Sequence, residues 1–405
     1  MSKEKPVLVQ INCADGGSTG GIMRGIAQEA EKAGFESHMI CAPKMPGRLK
    51  RDDVFYLGNM VECGIQRKWN KYTGRYGHGF PFATRQLLKK LDELQPDIVQ
   101  LHNLHHQFFD IPALFGWLKT HPVKVVWTLH DCWALTGHCA HFMLNRCDKW
   151  QRGCGECPDL THYPAIKRDT TAKLLEQKKS LYGRWDKLHL VAPSEWTAKQ
   201  IHLSFLHNTP AQVIYNGINL QAFQPIKSDF RVRHGLQASF IVLGVSAMWT
   251  KEKGIEVFEA LAKRLPSPFK VVLVGGEHGQ VEQLGDNVLW IPATQNKNEL
   301  AQIYTCADVL LNPTCEEVLG LVNIEALACG TPVVMFPTGG APECIDESCG
   351  ICLEEATVEA AEKALLALQR GEIHFEKSAC IERAQKFPKE KCFREYVELY
   401  QKLLA

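Results

Sequence analysis

Short apolar runs alternate along the chain with longer segments in which apolar residues recur at helical spacing. In the first half the runs are residues 7–11, 97–101, 123–129 and 188–192. Nearly every position in them is apolar, which is typical of strands buried on both faces. A glycine-rich turn and a helix pattern at residues 22–33 follow the first run. This alternation predicts a parallel sheet with helices on both sides.

The same rhythm restarts after Asn216. Strand patterns lie at residues 240–245, 270–274, 308–311 and 332–336, and helix patterns lie at residues 255–265, 299–304 and 321–329. We therefore predict an α/β protein of two tandem Rossmann-like, doubly wound domains that face a cleft, where open sheets of this kind bind ligands. The predicted boundaries are residues 1–210, residues 211–385, and a terminal helix at residues 386–405 that crosses back to the first domain.

Composition narrows the function classes. The 405 residues carry a net charge of +1, which gives no overall attraction to nucleic acid or membrane. The amino terminus shows no signal-peptide pattern, and no apolar run approaches the roughly 18 residues that a spanning helix needs. We therefore expect a cytoplasmic protein, in which sixteen cysteines do not form a disulfide framework.

Two glutamates, Glu317 and Glu325, flank the start of the helix pattern at residues 321–329 with seven residues between them. Gly330 and Pro332 end that helix. A helix N-terminus attracts anions through its unpaired N–H groups and its dipole, whereas carboxylates suit hydroxyl groups. A sugar nucleotide offers both a diphosphate and hydroxyls. Taken alone, however, Glu325 is better explained as a solvent-facing helix residue.

The surrounding sequence resembles the signature of retaining GT-B glycosyltransferases of family 4, E-x7-E followed by G-x-P-V-V. Further segments resemble motifs of the same family: VIYNGINLQAF at 213–223, KEKG at 251–254, FKVVLVGG at 269–276, ADVLLNPT at 307–314, and GGSTGGI and TLHD in the first half. The order and spacing of these segments match the family over nearly the whole chain.

The resemblance implies a role for each matching residue. Glu317 would contact hydroxyls of the donor sugar and help to bear charge at an oxocarbenium-like carbon. Lys253 would neutralise the leaving diphosphate, and Glu325 would hold the ribose hydroxyls. Together with His130, Glu317 and Lys253 form the implied catalytic set. The implied donor-binding set is Gly20, Gly21, Lys251, Gly320, Leu321, Val322, Asn323 and Glu325.

The chain departs from the family at one position that matters. The family usually has an arginine about five residues before this lysine, where the chain reads Met248-Trp249-Thr250. Lys251 is the candidate substitute, but lysine lacks the planar fork with which arginine grips a diphosphate. A weakened or absent activity is therefore one expectation. Val318 also replaces a common glycine, for which we expect only local adjustment.

The first half supplies glycines and histidines. Gly20 and Gly21 open the first helix pattern without the G-x-G-x-x-G spacing of a dinucleotide site. In the resembled family this loop lies against the donor diphosphate and the acceptor. His130 follows the third strand pattern, and the resemblance implies that it contacts the donor sugar and orients the acceptor. His102 and His105, after the second strand pattern, are weaker candidates at the same rim.

Residues 66–76 mix basic and aromatic side chains. Such a surface suits anionic lipid headgroups or a lipid-diphosphate acceptor, so peripheral contact with the inner face of a membrane is one interpretation. A solvated loop is the interpretation that we favour.

Four cysteines fall within nineteen residues in the spacing C-x7-C-x6-C-x2-C: Cys139, Cys147, Cys154 and Cys157. Four thiolates on an irregular loop suit a tetrahedral structural zinc ion, and His138 or His141 could replace one of them. Unrelated reduced cysteines are the alternative. We predict zinc that orders the loop and has no catalytic role, because four protein ligands leave no position for water.

The function that we predict is that of a retaining, metal-independent hexosyltransferase without a catalytic cofactor. It would move a hexose from a nucleotide-diphosphate sugar to a hydroxyl of a saccharide or lipid-linked acceptor in surface polysaccharide biosynthesis. Alternatives are a sugar-nucleotide epimerase or a phosphorylase on the same fold, for which the chain shows neither an acid–base set nor a context for a pyridoxal lysine. A catalytically silent scaffold of an assembly complex is a third possibility, which the missing arginine favours.

Overall fold

The computed structural model describes residues 5–44, 49–276, 284–285, 287–294 and 296–405. The chain divides into two compact units. One consists of Met1–Tyr215 with Glu390–Ala405, and the other of Asn216–Lys389.

The first unit is built on a parallel sheet. Its strands are β1 (Val7–Asn12), β2 (Glu36–Cys41), β3 (Val54–Tyr56), β4 (Ile98–Leu101), β5 (Lys124–Thr128), β6 (Leu188–Ala192) and β7 (Ala211–Val213). They pair in the order β3-β2-β1-β4-β5-β6-β7. The helices before residue 215 are α1 (Gly17–Lys32), α2 (Met60–Thr73), α3 (Pro81–Leu94), α4 (Ile111–Thr120), α5 (Lys149–Arg152), α6 (Thr171–Tyr182) and α7 (Glu195–Leu203).

The second unit repeats the design. Its strands are β8 (Phe240–Val245), β9 (Phe269–Val274), β10 (Val288–Ile291), β11 (Val309–Asn312), β12 (Val333–Met335) and β13 (Gly350–Cys352), in the order β10-β9-β8-β11-β12-β13. Its helices are α8 (Phe230–Arg233), α9 (Ile255–Arg264), α10 (Lys297–Cys306), α11 (Leu321–Ala328), α12 (Val358–Gln369) and α13 (Lys377–Ala384), with a 3-10 helix at Ala341–Cys344. The paired strands are parallel, as the sequence pattern predicts.

Alternate residues of the central strands belong to different cores. Val7, Val9 and Ile11 of β1 join one apolar cluster, whereas Leu8 joins another. Because side chains alternate across a strand, these clusters lie on opposite faces of the first sheet. Both faces are therefore covered, which explains why the strand patterns are continuous rather than alternating.

The chain ends in helix α14 (Lys389–Leu404), which packs on the first unit. Phe393, Tyr396 and Tyr400 are buried in the same cluster as Leu8 and Ile26 of β1 and α1. Two of its tyrosines also form hydrogen bonds with the sheet: Tyr396 OH lies 3.0 Å from Thr128 Oγ1, and Tyr400 OH donates to the Gln100 amide oxygen at 2.9 Å.

Residues 66–76, for which we favoured a solvated loop, lie mainly in α2. Asn59 caps this helix, since its side chain accepts a hydrogen bond from the Glu62 N–H, and Gly74 ends it in the left-handed conformation. The loop interpretation is therefore wrong. The sequence pattern did not reveal the helix because its apolar positions face outward, whereas a surface helix usually buries its apolar face against the core.

In the described part of the chain, no helix has both the length and the apolar character that crossing a bilayer requires.

Candidate active site

Helix α11 begins at the loop that carries Glu317. Gly320 is its N-cap residue and has φ 90° and ψ 72°, a left-handed conformation that favours glycine. A Cβ at this position would also lie 2.7 Å from Asn323 Nδ2. Within the described residues, the N–H groups of Leu321 and Val322 have no hydrogen-bond acceptor, while that of Asn323 donates to Gly320 O. The start of α11 thus presents free donors to an anion.

Lys253 and Glu317 come together in the second unit. The ammonium of Lys253 lies 3.2 Å from Glu317 Oε2 and 3.4 Å from the Glu316 carbonyl oxygen. Gly254, next to this lysine, is the N-cap of α9 and has φ 76°. Its Cα is tight against Pro313, because an added Cβ would lie 2.6 Å from that residue's carbonyl oxygen. This contact joins the KEKG turn to the loop that carries Glu317.

Glu325 lies one turn inside α11, within the predicted helix pattern. Its hydrogen-bond partner in the structure is a protein side chain. Its Oε2 accepts a hydrogen bond of 3.1 Å from the phenol of Tyr304, a fully buried residue of α10. Burial raises the pKa of Glu325 to about 7, against the lowering effects of the Tyr304 hydrogen bond and of Lys297. The carboxyl group therefore titrates close to neutral pH.

The segment Met248–Lys251, where the resembled family has an arginine, contains both buried and exposed side chains. Trp249 is buried and packs edge-on against Phe258 at a centroid distance of 5.3 Å. Met248 is 59% exposed, and Lys251 is also exposed. The described contacts do not pair Lys251 with a carboxylate, so its ammonium is available to a ligand.

The glycines of the first loop lie within α1 rather than at its start. The helix begins at Gly17, three residues earlier than the sequence pattern suggested for the opening glycines. Gly20 is needed for packing, because a Cβ there would lie 2.4 Å from the carbonyl carbon of Asp15. At Gly21 an added Cβ would meet only the end of Arg24, at 3.9 Å.

His130 lies at the end of β5 in the first unit and contacts His102. The planes of the two rings differ by 10°, their centroids are 5.2 Å apart, and His102 Nδ1 is 2.9 Å from His130 Nε2, so the rings meet edge to edge through this contact. His102 Nε2 lies 3.1 Å from the amide oxygen of Gln10, whose amide nitrogen donates to the Met23 carbonyl. Burial lowers the pKa of His130 to about 4 and that of His102 well below its ordinary value.

A second histidine contact lies beside the first. His105 Nε2 is 2.8 Å from Asp131 Oδ2, and His105 Nδ1 is 3.1 Å from the phenol oxygen of Tyr163. Burial opposes ionisation of Asp131, but His105 and the Trp133 N–H lower its pKa to about 2. Asp131 is thus a carboxylate at neutral pH and holds the His105 ring in place.

The four cysteines of the predicted zinc site line one small cavity of about 20 Å³, together with His138. Cys154 Sγ accepts a hydrogen bond from Gly137 N–H, and His138 Nε2 lies 3.4 Å from Cys157 Sγ. Even so, no three histidine, cysteine or acidic side chains of the described residues are grouped so that they could hold a metal ion. The structure therefore does not show the predicted zinc site.

Two site residues escaped the sequence analysis. Gln10 is a single polar residue in an apolar strand, and it is fully buried beside His102. Tyr304 lies 21 residues before Glu325 in another helix. For Gln10 a signal existed, because a polar side chain in a strand that is buried on both faces must find a partner. For Tyr304 the sequence offered none.

Comparison with known proteins places both halves of the chain. A family model described as glycosyltransferase family 4 matches residues 22–222, and one described as glycosyl transferases group 1 matches residues 239–370. The putative colanic acid biosynthesis glycosyl transferase WcaC of Escherichia coli strain K12 is 24% identical over an alignment of 377 positions, which covers 86% of this chain and 87% of that protein. A D-inositol 3-phosphate glycosyltransferase of Mycobacteroides abscessus is 32% identical over an alignment of 197 positions, which covers 44% of this chain and 43% of that protein.

Solved structures resemble the chain over nearly its full length. Sucrose-phosphate synthase from Thermosynechococcus elongatus has a TM-score of 0.74 at 18% identity and covers 99% of this chain and 100% of its own. Anabaena HepE in complex with UDP and glucose has a TM-score of 0.68 at 14% identity, with coverages of 98% and 100%. WaaG, a glycosyltransferase involved in lipopolysaccharide biosynthesis, has a TM-score of 0.64 at 15% identity, with coverages of 97% and 99%. The structural similarity establishes the GT-B fold of two doubly wound α/β units. At sequence identities this low it establishes nothing beyond the fold.

Proposed function

This chain belongs to the glycosyltransferases that the family 4 and group 1 models describe, and we propose that it is a retaining, metal-independent hexosyltransferase. It moves a hexose from a nucleotide-diphosphate sugar to a hydroxyl of a saccharide or lipid-linked acceptor in surface polysaccharide biosynthesis. WcaC and WaaG, whose names refer to colanic acid and lipopolysaccharide, support the polysaccharide assignment. The UDP and glucose of the HepE complex make UDP-glucose the first donor to test.

The observation that carries this proposal is the pair of Lys253 and Glu317 in the turn-and-loop contact beside α11. A leaving diphosphate carries negative charge that must be stabilised, and a positioned ammonium with free helix N–H groups supplies this stabilisation. Lys253 lies 3.2 Å from Glu317 Oε2, so the ammonium can bind the diphosphate while the carboxylate turns to the sugar hydroxyls. Glu317 then faces the positive charge that develops at the anomeric carbon.

Glu325 holds the ribose. An ionised carboxylate accepts hydrogen bonds from two adjacent hydroxyls, and Tyr304 already fixes one of its oxygens. In the first unit, Gly20, Gly21 and His130 are assigned to the diphosphate, the donor sugar and the acceptor. Lys251, exposed on the KEKG turn, is assigned to the diphosphate in place of the arginine that the chain lacks.

A donor screen tests the proposal. The purified protein is incubated with UDP-, GDP- and ADP-hexoses, and hydrolysis and thermal stabilisation are measured. With the donor that is found, Glu317→Ala and Lys253→Ala should each lower kcat at least a hundredfold, whereas Glu325→Ala should mainly raise KM. Glu259→Ala and Lys263→Ala are the matched controls, because these residues form an exposed ion pair on α9 at 2.8 Å.

Each outcome separates the transferase from its alternatives. Full activity in both Glu317→Ala and Glu325→Ala would defeat the assignment of roles. An epimerised sugar nucleotide after incubation with donor alone would replace transfer by epimerisation. Calorimetry without heat of binding for any sugar nucleotide would identify a scaffold.

Helix α2 supports a peripheral contact with an anionic membrane. Its outward face carries Val61, Ile65, Trp69 and Tyr72, which are between 60% and 71% exposed. Lys68 and Lys71 are exposed on the same helix. An exposed apolar stripe beside cations is the arrangement of a helix that lies in a lipid interface, and it would bring a lipid-linked acceptor to the enzyme.

Vesicle co-sedimentation tests this contact. The protein should bind vesicles with phosphatidylglycerol more strongly than vesicles of phosphatidylcholine alone, and the double variant Ile65→Ser, Trp69→Ser should lose most of that binding. Val232→Ser, which changes a 65% exposed valine in the second unit, is the control. Equal binding by the double variant and the control would exclude α2 as the contact surface.

Structural zinc at the cysteine loop is a separate proposal. It is supported by the four thiols around one cavity, by the N–H···S hydrogen bond from Gly137 to Cys154, and by Lys178. Lys178 is a buried ammonium that donates to the carbonyl oxygens of Trp133 and Thr136, and burial lowers its pKa to about 7. Four zinc-bound thiolates would supply the negative charge that it lacks, once the thiols had moved together around the ion.

Metal content decides the zinc proposal. Protein purified without chelators should contain one zinc per chain by mass spectrometry of the elements. Cys154→Ser with Cys157→Ser should remove it, and Cys315→Ser, outside the loop, should retain it. A metal-free wild-type protein whose four loop thiols all react with a thiol reagent would end the proposal.

A further inference from the structure

A series of buried polar contacts in the first unit begins at a backbone carbonyl group, which can only accept a hydrogen bond. The Met23 carbonyl of α1 can only accept, so the contact of 2.9 Å from Gln10 must come from its amide N–H. The amide oxygen of Gln10 therefore faces His102 Nε2, 3.1 Å away. An amide oxygen also can only accept, so His102 must carry a hydrogen on Nε2.

The hydrogen on Nε2 determines the other side of the His102 ring. His102 is 1% exposed, and no carboxylate among its described contacts could balance a positive charge. A buried charge without a partner is costly, so the ring is neutral and carries one hydrogen only. Nδ1 of His102 is then an acceptor, and the contact of 2.9 Å to His130 Nε2 requires His130 to donate.

The same reasoning fixes His130. This ring is buried at 9% exposure, and burial favours its neutral form. With its hydrogen on Nε2, it has a lone pair on Nδ1. Among the described residues no group forms a hydrogen bond with that nitrogen.

We propose that Gln10 and His102 are positioning residues that hold His130 as the Nε2–H tautomer, so that His130 Nδ1 accepts a hydrogen bond from a hydroxyl of the bound sugar. The hydroxyl part rests on the proposed function, whereas the tautomer rests on the contacts alone. The lone pair on Nδ1 of His130 would make the enzyme prefer a donor sugar that has a hydroxyl at the contacted position over the corresponding deoxy sugar. A donor with a hydroxyl at the contacted position satisfies the lone pair, and a deoxy sugar leaves it unpaired in a buried place.

Nitrogen NMR of the full-length protein labelled with ¹⁵N-histidine tests the tautomer without any substrate. The signals of His130 are identified by their loss in His130→Gln. In the wild type, Nδ1 of His130 should have the shift of an unprotonated ring nitrogen and Nε2 that of a protonated one. A protonated Nδ1 at neutral pH would overturn the proposal, whether or not the enzyme transfers sugar.

A matched pair of variants tests the role of the glutamine. Gln10 and Gln100 are partners in the pairing of β1 with β4, and both are fully buried. Gln100, however, bonds Thr128 and Tyr400 and neither histidine. Gln10→Met should mix the two tautomers of His130, and Gln100→Met should leave the spectrum of His130 unchanged. If both variants or neither changed that spectrum, the relay through Gln10 would be disproved.

Kinetics with deoxy donors connect the tautomer to the sugar. For the wild type, one of the deoxy analogues of the active donor should show a kcat/KM at least tenfold below that of the parent sugar. Gln10→Met should reduce this discrimination severalfold, and Gln100→Met should preserve it. If every deoxy donor reacted as well as its parent, the hydroxyl contact would be refuted while the tautomer result stood. If no donor reacted at all, the proposed function would fail instead.

Discussion

Glu325 is the residue at which function and stability oppose each other. We propose its carboxyl group as the partner of the ribose hydroxyls, yet burial raises its pKa to about 7 from 4.5. The unfolded chain therefore releases this proton at lower pH than the folded chain does. Between about pH 4.5 and pH 7 the native protein retains a proton that the unfolded chain has lost, so stability falls as pH rises through this window.

Replacement by glutamine should remove this pH dependence. Glu325→Gln keeps an oxygen for the Tyr304 phenol and cannot ionise, so it should be more stable than wild type at pH 8 by about 2–3 kcal/mol and nearly equal to it at pH 4.5. Denaturant unfolding at several pH values measures the difference. In Glu359→Gln, the control, no such gain is expected, because Arg264 holds the pKa of Glu359 below its ordinary value. Parallel pH profiles of wild type and Glu325→Gln would show that the carboxyl titrates normally.

At the scale of single residues, the sequence allowed us to predict candidate site residues that lie within a recognisable motif. Glu317 and Lys253 lie in two segments with recognisable patterns, and their side chains are 3.2 Å apart. Gln10 and Tyr304 act through contacts to residues far away in the chain, and their own neighbours carry no motif. Side-chain partners of this kind depend on strand register and helix packing, which single residues do not encode.

At the scale of the elements, α1 and α14 approach each other closely at one glycine of the first unit. Gly25 faces the terminal helix, and a Cβ on it would lie 2.0 Å from the ring of the buried Phe393. The absence of a side chain thus lets the helix from the carboxyl terminus approach a helix near the amino terminus. Closing such a contact with an extra methyl group forces the ring or the helix to shift.

Two alanine substitutions in the same helix should therefore have opposite effects. Gly25→Ala should destabilise the protein by about 1–2 kcal/mol, since overpacking outweighs the helix preference of alanine. Gly21→Ala, where the added atom meets only the end of Arg24 at 3.9 Å, should stabilise it by about 0.5–1 kcal/mol. Thermal unfolding of both variants measures this. A stabilised Gly25→Ala would mean that α14 does not pack on α1 as described.

The elements differ in how far the sequence could predict them. The eight strands that the sequence pattern predicted match strands of the structure to within one residue at each end; the pattern at 123–129, for example, is β5 (Lys124–Thr128). The sequence analysis missed β2, β3, β7, β10 and β13. Most of these strands have three or four residues, too few to show a period, and the longer β2 (Glu36–Cys41, ESHMIC) begins with polar residues. Helix α2 was missed for another reason: its outward face is apolar, so its pattern does not indicate which side is buried.

At the scale of the whole molecule, the division into two units makes a prediction about ligand binding. Lys253, Glu317, Glu325 and the start of α11 all belong to Asn216–Lys389, and this unit has an apolar core of its own. If these residues form the nucleotide site, a fragment of residues 216–389 should fold and bind the nucleotide of the active donor in calorimetry. The same fragment with Glu325→Ala should bind at least tenfold more weakly, because the ribose loses its acceptor. The opposite outcome is a fragment that has native circular dichroism but binds no nucleotide. Because the second unit contains both the carboxyl group that we assign to the ribose and the N–H groups at the start of α11, this outcome would show that nucleotide binding also needs the first unit.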